Sequence, residues 1–313
     1  MPLTILVAAR APRFVDTPSS QPAWRQLHAI ADAAYPQLRT LWAVLFADYR
    51  VALDTDAMRD ALRRGHILEV ERLIAPAWRE ISAEARLPLQ ALLRETVARS
   101  AEAVLPATEA LLGVDIAVQF GVVVPQALQA VETYVGTQIV EIGETTLRNV
   151  RDVVRRGVQE GRSMTQMMRD LEAFVGLTSR QTQALETLRQ RLLDAGKTRA
   201  QAQAAVGLAA RLALQRRVEA IARTESIAAA SMGQQGLWED AQRQGTLDPA
   251  RFRRHWLVTP DDRLCTVTCA PIPGMNPDGV RLDEPFQTPI GPVMFPPAHP
   301  QCRCAVNGRV EGA

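Results

Sequence analysis

The chain has 313 residues, 47% of them hydrophobic and 22% charged, with a formal net charge of +2. That length suggests about two domains, and the composition excludes both a disordered chain and a polycation as the starting assumption. No stretch reaches the roughly 20 apolar residues of a spanning helix, so no membrane partner is expected.

The basic residues are almost all arginine, Lys197 being the sole lysine. Arginine suits bidentate contact with carboxylates or phosphates, but a GC-rich genome gives the same bias. Residues 3–9 are apolar but short, with no basic residue before them, and do not read as a signal peptide. A reducing cytoplasm is therefore the expected setting, where cysteines are metal ligands or free thiols more often than disulfides.

Residues 1–21, with Pro2, Pro12 and Pro18, read as an extended arm. Residues 22–115 form a helical N-terminal region. Leu27, Ile30, Ala31, Ala34 and Leu38 recur at helical spacing. Leu41, Leu45 and Tyr49 continue that face beyond Pro36, where a bend or break is predicted. Further helices are predicted over 57–64, over 67–81 with an interruption at Pro76, and over 89–105. Residues 111–125 hold Gly113, Gly121, Pro125 and the apolar run 120–124, and are a candidate hinge.

Residues 116–245 form a second helical region. A helix starts at Pro125, since proline is tolerated in a first turn, and another covers 145–156. Gly157 and Gly161 are helix stops, and Ser163 with Gln166 makes a capping box. Met164, Met167, Met168, Leu171 and Val175 share the next helix face and read as core filler. Helices over 178–196 and 197–245 come next. Arg216, Arg217 and Arg223 read as a solvated basic face.

Within the last helix, Ile221, Glu225, Ala228 and Met232 share one face, which turns Glu225 towards apolar surroundings. A buried carboxylate needs a partner. Arg223 and Glu225 are therefore predicted to clamp this helix to the C-terminal segment, with Arg254 or His255 as partner of Glu225. A catalytic acid is the weaker alternative.

After Gly245 the composition changes. Residues 256–301 contain ten prolines, and 255–258 and 293–295 read as short strands. The segment 246–313 is thus a small α+β, proline-rich module, and the fold class is mainly α with this module at its end. So small a module buries little core and calls for a staple. All four cysteines lie in it, as Cys265-x-x-x-Cys269 and His299-Pro-Gln-Cys302-Arg-Cys304. Four of these five donors, at most, would satisfy a tetrahedral zinc ion; free thiols or disulfides are the other readings. The chain has neither H-E-x-x-H nor a P-loop nor a G-x-S-x-G elbow, and a non-enzymatic protein is expected.

At these residues the chain resembles the phage head morphogenesis proteins of the Mu-F minor capsid type. The resemblance runs from Phe120 to Arg309. It takes in Ile142-Gly-Glu-Thr-Thr146, Gly157-x-x-x-Gly161-Arg-Ser163, Ile221-Ala-Arg-Thr-Glu225, Trp256 and Asp262-Arg263-x-Cys265-x-x-x-Cys269. It ends in Pro296-Pro297-x-His299-Pro300-x-Cys302-Arg303-Cys304. The family's first cysteine pair is commonly C-x-x-C, and here one residue is added. The resemblance implies a few-copy head protein, located in the virion and made in the host cytoplasm. Its implied partners are the portal protein and the major capsid or scaffolding protein, during procapsid assembly and in DNA delivery. Two alternatives stand beside it. One is a zinc-stabilised module that binds packaged DNA through Arg251, Arg253 and Arg254. The other is an ADP-ribosyltransferase-like or nuclease-like effector using Glu225.

Overall fold

A computed structural model describes residues 20–116, 125–260 and 264–311. The chain is mainly helical, with a small antiparallel sheet near its C-terminal end. The helices are α1 (Ser20–Leu53), α2 (Asp56–Arg64), α3 (Ile67–Leu112), α4 (Pro125–Gln159), α5 (Met164–Phe174), α6 (Ser179–Asp194), α7 (Arg199–Arg243) and the short α8 (Ile272–Met275). The strands are β1 (Phe252–Leu257), which precedes α8, and β2 (Ala305–Val310). No helix among the described residues is long and apolar enough to cross a membrane. Most of the predicted arm, the 120–124 run and Asp262-Arg263 lie outside the described residues.

Several predicted breaks are absent. Pro36 lies inside α1, and Pro76 inside α3, which runs unbroken through the two helices predicted over 67–81 and 89–105. Proline costs a helix about 3 kcal/mol, but the faces on either side are buried. Ala34 and Leu38 flank Pro36 in this way, and Ile74 and Trp78 flank Pro76. Packing of a long apolar face outweighs a local propensity of that size. Likewise α4 continues through 145–156 to Gln159. Gly157 is therefore no stop: a Cβ there would lie 2.8 Å from the Met167 side chain, so it lets α4 and α5 approach. Gly161 does turn the chain, with φ +63°.

The chain divides into two compact units, each built from separated segments. One holds Gln37–Leu92 and Glu132–Ala222. Its aromatic centre sets Trp78 edge-on to Tyr49, ring centroids 5.1 Å apart. Gly143 faces the Trp78 indole so closely that no Cβ would fit. Met167, Met168, Leu171 and Val175 are buried as expected. The Ser163–Gln166 capping box forms in both directions. Thr178 with Gln181, and Thr198 with Gln201, repeat it at α6 and α7. Arg217 leaves the predicted solvated face. It donates to the Gly176 carbonyl and lies over Phe46, and burial lowers its pKa to about 10.

The same unit contains a buried ion network. Asp170 is fully buried and accepts from Arg189, from Arg162 at 2.7 Å and from Gln203 at 3.1 Å. Glu186 accepts a second bond from Arg162 at 2.9 Å. Removing the central carboxylate takes from two largely buried guanidinium groups their shared partner and leaves them Glu186, with Glu160 beside Arg162. Asp170→Asn is expected to destabilise this unit by about 3–5 kcal/mol in urea unfolding. A loss below about 1 kcal/mol would show that the network is not a unit.

Among the described residues, the other unit holds 20–36, 93–116, 125–131, 223–260 and 264–311. Here α3 and α7 touch at backbone distance. Ser100 Oγ donates to the Ala230 carbonyl at 2.6 Å, and a Cβ on Gly233 would collide with the Val97 carbonyl. The C-terminal module packs on this pair in an apolar cluster around Trp238, Phe252, Trp256, Ile272 and Phe286, and on the start of α1 in a second cluster that joins Leu27 and Ala31 to Leu257 and Ala305.

Candidate metal centre

The module is built on β1, paired antiparallel to β2 in the register Phe252↔Val310 to Leu257↔Ala305. The strand predicted over 255–258 corresponds to β1, which starts earlier. Residues 293–295 form no ladder; Val293 makes only a bridge to Phe286. Strand β2 is not foreseen from the sequence, because Gly308 interrupts its pattern. That glycine lies where a Cβ would be 2.6 Å from the Phe252 ring, so close packing requires it.

Arg254 on β1 is fully buried. All five of its N–H groups find acceptors. Nε and Nη2 donate to the Arg281 carbonyl at 3.1 and 3.0 Å, and Nη2 also to the Glu284 carbonyl. Nη1 donates to the Met294 carbonyl at 2.7 Å and to Gln235 Oε1, on α7, at 2.9 Å. Its guanidinium carbon lies 5.2 Å from the Phe286 ring centroid. Burial brings its pKa down to about 10, so it remains charged at neutral pH. With every donor taken, Arg254 is not the partner foreseen for Glu225.

Two turns place the sulfur and imidazole donors. In the first, Cys269 N–H donates to the Cys265 carbonyl at 3.1 Å, so four residues make one helical turn and put both side chains on one side. The added residue relative to C-x-x-C thus keeps the pair together. In the second, Cys302 N–H donates to the His299 carbonyl at 3.0 Å. Pro300 and then Gln301, at φ +62°, occupy the middle of this turn, as in a type II turn. Cys302 and Cys304 then lie two residues apart on chain leading into β2, a spacing that repeats a side in extended backbone.

These turns gather all five predicted donors into two overlapping triads. Cys265, Cys269 and His299 have ligand atoms within 4.8 Å of one another, and so do Cys269, Cys302 and Cys304. Cys269 belongs to both. Its Sγ lies 3.0 Å from His299 Nε2 and 3.8 Å from Cys302 Sγ. Two sulfurs of a tetrahedral zinc site, each about 2.3 Å from the ion, are separated by about 3.8 Å. His299 Nδ1 donates to the Pro300 carbonyl at 2.8 Å. That fixes the tautomer leaving Nε2 free as an electron-pair donor, an arrangement common behind ligating histidines. All four cysteines are free thiols; Cys269, Cys302 and Cys304 are buried and Cys265 is half-buried. The cluster can hold a metal ion.

The thiols share their protons unequally. Hydrogen bonds from Cys269 and then Cys304 hold Cys302 well below the ordinary thiol range. The contact with Cys302 pushes Cys269 up against an opposing contact with Cys304, contacts with Cys269 and then Cys302 push Cys304 up, and burial raises both. For Cys265, burial acts upwards, but hydrogen bonds from Thr268 and the Cys269 N–H outweigh it and bring the thiol down to about 7. A cluster that concentrates one negative charge among close sulfurs is suited to a cation.

Comparison with protein-family models, with curated proteins and with solved structures found no match to the chain.

The predicted clamp segment is at the same end of the unit. Arg223 pairs with Asp32 of α1 and lies 4.3 Å from the Tyr35 ring centroid. Glu225 is buried, as its position on the helix face implied, at 2% exposure. The contact from α7 to the ligand turn is made by Thr224, whose Oγ1 accepts from Gln301 N–H at 3.0 Å. Sequence reasoning also missed Trp24 and His28. Both donate to the Arg303 carbonyl, at 2.8 and 3.0 Å, and so hold the backbone between Cys302 and Cys304. Their i,i+4 spacing near the start of an apolar face was the available signal. Gln234 completes the set, donating to the Val306 carbonyl at 3.1 Å.

Arg254→Met would orphan the Glu284 and Met294 carbonyls, leave that of Arg281 with the Glu284 N–H alone, and is expected to cost about 3–5 kcal/mol in urea unfolding; a loss below about 1 kcal/mol would contradict the role given to Arg254. A second expectation concerns pH. Burial, the largest influence on His28, lowers its pKa below 6.5, against the Arg303 carbonyl and Asp32 acting upwards. The unfolded chain therefore takes up this proton first as pH falls through 6.5. Stability should decline from there until the folded-state pKa is passed, then level off. Unfolding free energy measured across that window should fall less steeply in His28→Gln; an unchanged slope would contradict the assignment.

Proposed function

We propose that this chain is a structural, non-enzymatic head protein of a tailed phage, a minor capsid component of the Mu-F type. In this reading it joins the portal protein and the major capsid or scaffolding protein during procapsid assembly and remains in the virion. Its C-terminal module is stapled by a zinc ion on Cys269, Cys302, Cys304 and His299. The observation that carries the zinc reading is the convergence of five donors from two separate turns on one edge of the module core. Sulfur-rich, closed sets are typical of structural zinc, whereas a catalytic ion keeps one position open. The head-protein reading is supported by the order and spacing of the terminal P-P-x-H-P-x-C-R-C and the segments before it.

No observation favours the alternatives. Of the three arginines at the start of the module, Arg251 donates to the Glu311 carbonyl at 3.0 Å and Arg253 pairs with the Glu311 carboxylate at 3.3 Å. Arg254 is buried. Each of the three thus has a partner within the fold. Glu225, the residue an effector would need, is shut from solvent on α7.

Two measurements test the proposal. The protein purified under reducing conditions should carry about one zinc per chain by elemental analysis, and chelation should lower its melting temperature; a metal-free protein of unchanged stability would refute the staple. Purified phage particles should contain the chain, and it should copurify with the portal or capsid protein from procapsids. Its absence from particles by mass spectrometry would refute the head-protein reading.

A further inference from the structure

A tetrahedral ion takes four ligands, and the module offers five donors. Among them Cys265 differs from the other thiols: it is half-buried, while Cys269, Cys302 and Cys304 are closed off. Its Sγ is within 4.8 Å of the Cys269 Sγ, across one helical turn. Residues four apart in such a turn have Cα atoms about 6 Å apart, inside the range a disulfide can bridge. Cys269 is also the donor common to both triads, so whatever removes it dismantles the site.

We propose that Cys265 is a spare thiol and an oxidation site, and that peroxide converts Cys265 and Cys269 into a disulfide that releases the metal. The inference rests on the zinc reading above. In the first step the Cys265 thiolate attacks hydrogen peroxide. A sulfur–oxygen bond forms, the oxygen–oxygen bond breaks, and hydroxide leaves, giving the sulfenic acid. In the second the Cys269 thiolate attacks the Cys265 sulfur, forming the disulfide and expelling a second hydroxide. The two thiolates lose two electrons and the peroxide gains them; each hydroxide becomes water on taking up a proton. Cys269 no longer has a thiolate to give, and Cys302, Cys304 and His299 retain the ion more weakly. The module then passes from a stapled to an unstapled state when it meets an oxidising exterior.

The test uses reduced, zinc-loaded, full-length protein treated with hydrogen peroxide. Released zinc is followed with a chromogenic chelator, and the disulfide is mapped by mass spectrometry. Cleavage after Arg263 and Arg281 leaves Cys265 and Cys269 on one peptide, 264–281. Zinc release should coincide with the loss of two hydrogens from that peptide, and a thiol reductant with added zinc should reverse both. Cys265→Ser should keep its zinc and release it at least about tenfold more slowly. Peroxide-stable zinc in the native protein, unslowed release from Cys265→Ser, or loss of zinc by that variant before oxidation would overturn the proposal. A disulfide joining Cys302 to Cys304 would overturn it as well, and the peptide map reads this in the native sequence whether or not the variant folds. Absence of zinc from the reduced native protein refutes the metal reading, and this proposal with it, before peroxide is added. Zinc that binds but resists peroxide refutes the switch alone.

Discussion

The C-terminal module depends on a charge held where charge is costly. Arg254 is buried in a proline-rich segment that has few backbone ladders of its own, and its five donors supply what a sheet would otherwise provide. The carbonyls of Glu284 and Met294 lie on loop chain outside the β1–β2 ladder and would be left unsatisfied without it, and that of Arg281 would keep only the Glu284 N–H. Gln235 is the fourth acceptor, and it in turn donates to the Leu282 carbonyl at 3.0 Å. A single guanidinium thus fixes a loop of many residues to β1 and to α7. Lysine could not do this, since one ammonium cannot satisfy four acceptors in a plane.

With that loop fixed, the rest of the module has a surface to close on. Cys269 and Ile272 pack into the same apolar cluster as Phe286, whose ring lies under Arg254. The His299–Cys302 turn is held from outside by Thr224, and the Cys302–Cys304 backbone by Trp24 and His28. Helices distant along the chain thus hold the segment that carries His299, Cys302 and Cys304. A metal ion added to such a site would meet ligands already near their places, so that little ordering would oppose its binding.

Much of this is legible in the sequence, and the limits have physical causes. Helical periodicity finds the faces of α1, α5 and α7, and the clustered cysteines with His299 find the candidate centre. The breaks expected at Pro36 and Pro76 do not occur, since a rule about local backbone cost takes no account of buried faces on both sides. Strand β2 is hidden by Gly308, which serves the packing of Phe252 rather than strand propensity. The partners of Arg223 and Arg254 escape sequence reasoning because they come from residues such as Asp32 and Met294, far away along the chain. Which helix segments share a compact unit is equally a matter of long-range packing, and α1, α3, α4 and α7 each contribute to both units.

In the function proposed above, three thiolates and one imidazole hold a zinc ion in the module. X-ray absorption at the zinc edge of the reduced protein tests it most directly. A four-coordinate shell of three sulfurs at about 2.3 Å and one nitrogen at about 2.0–2.1 Å is expected. A shell of oxygen and nitrogen alone, or one of four sulfurs with Cys265 in the place of His299, would contradict it.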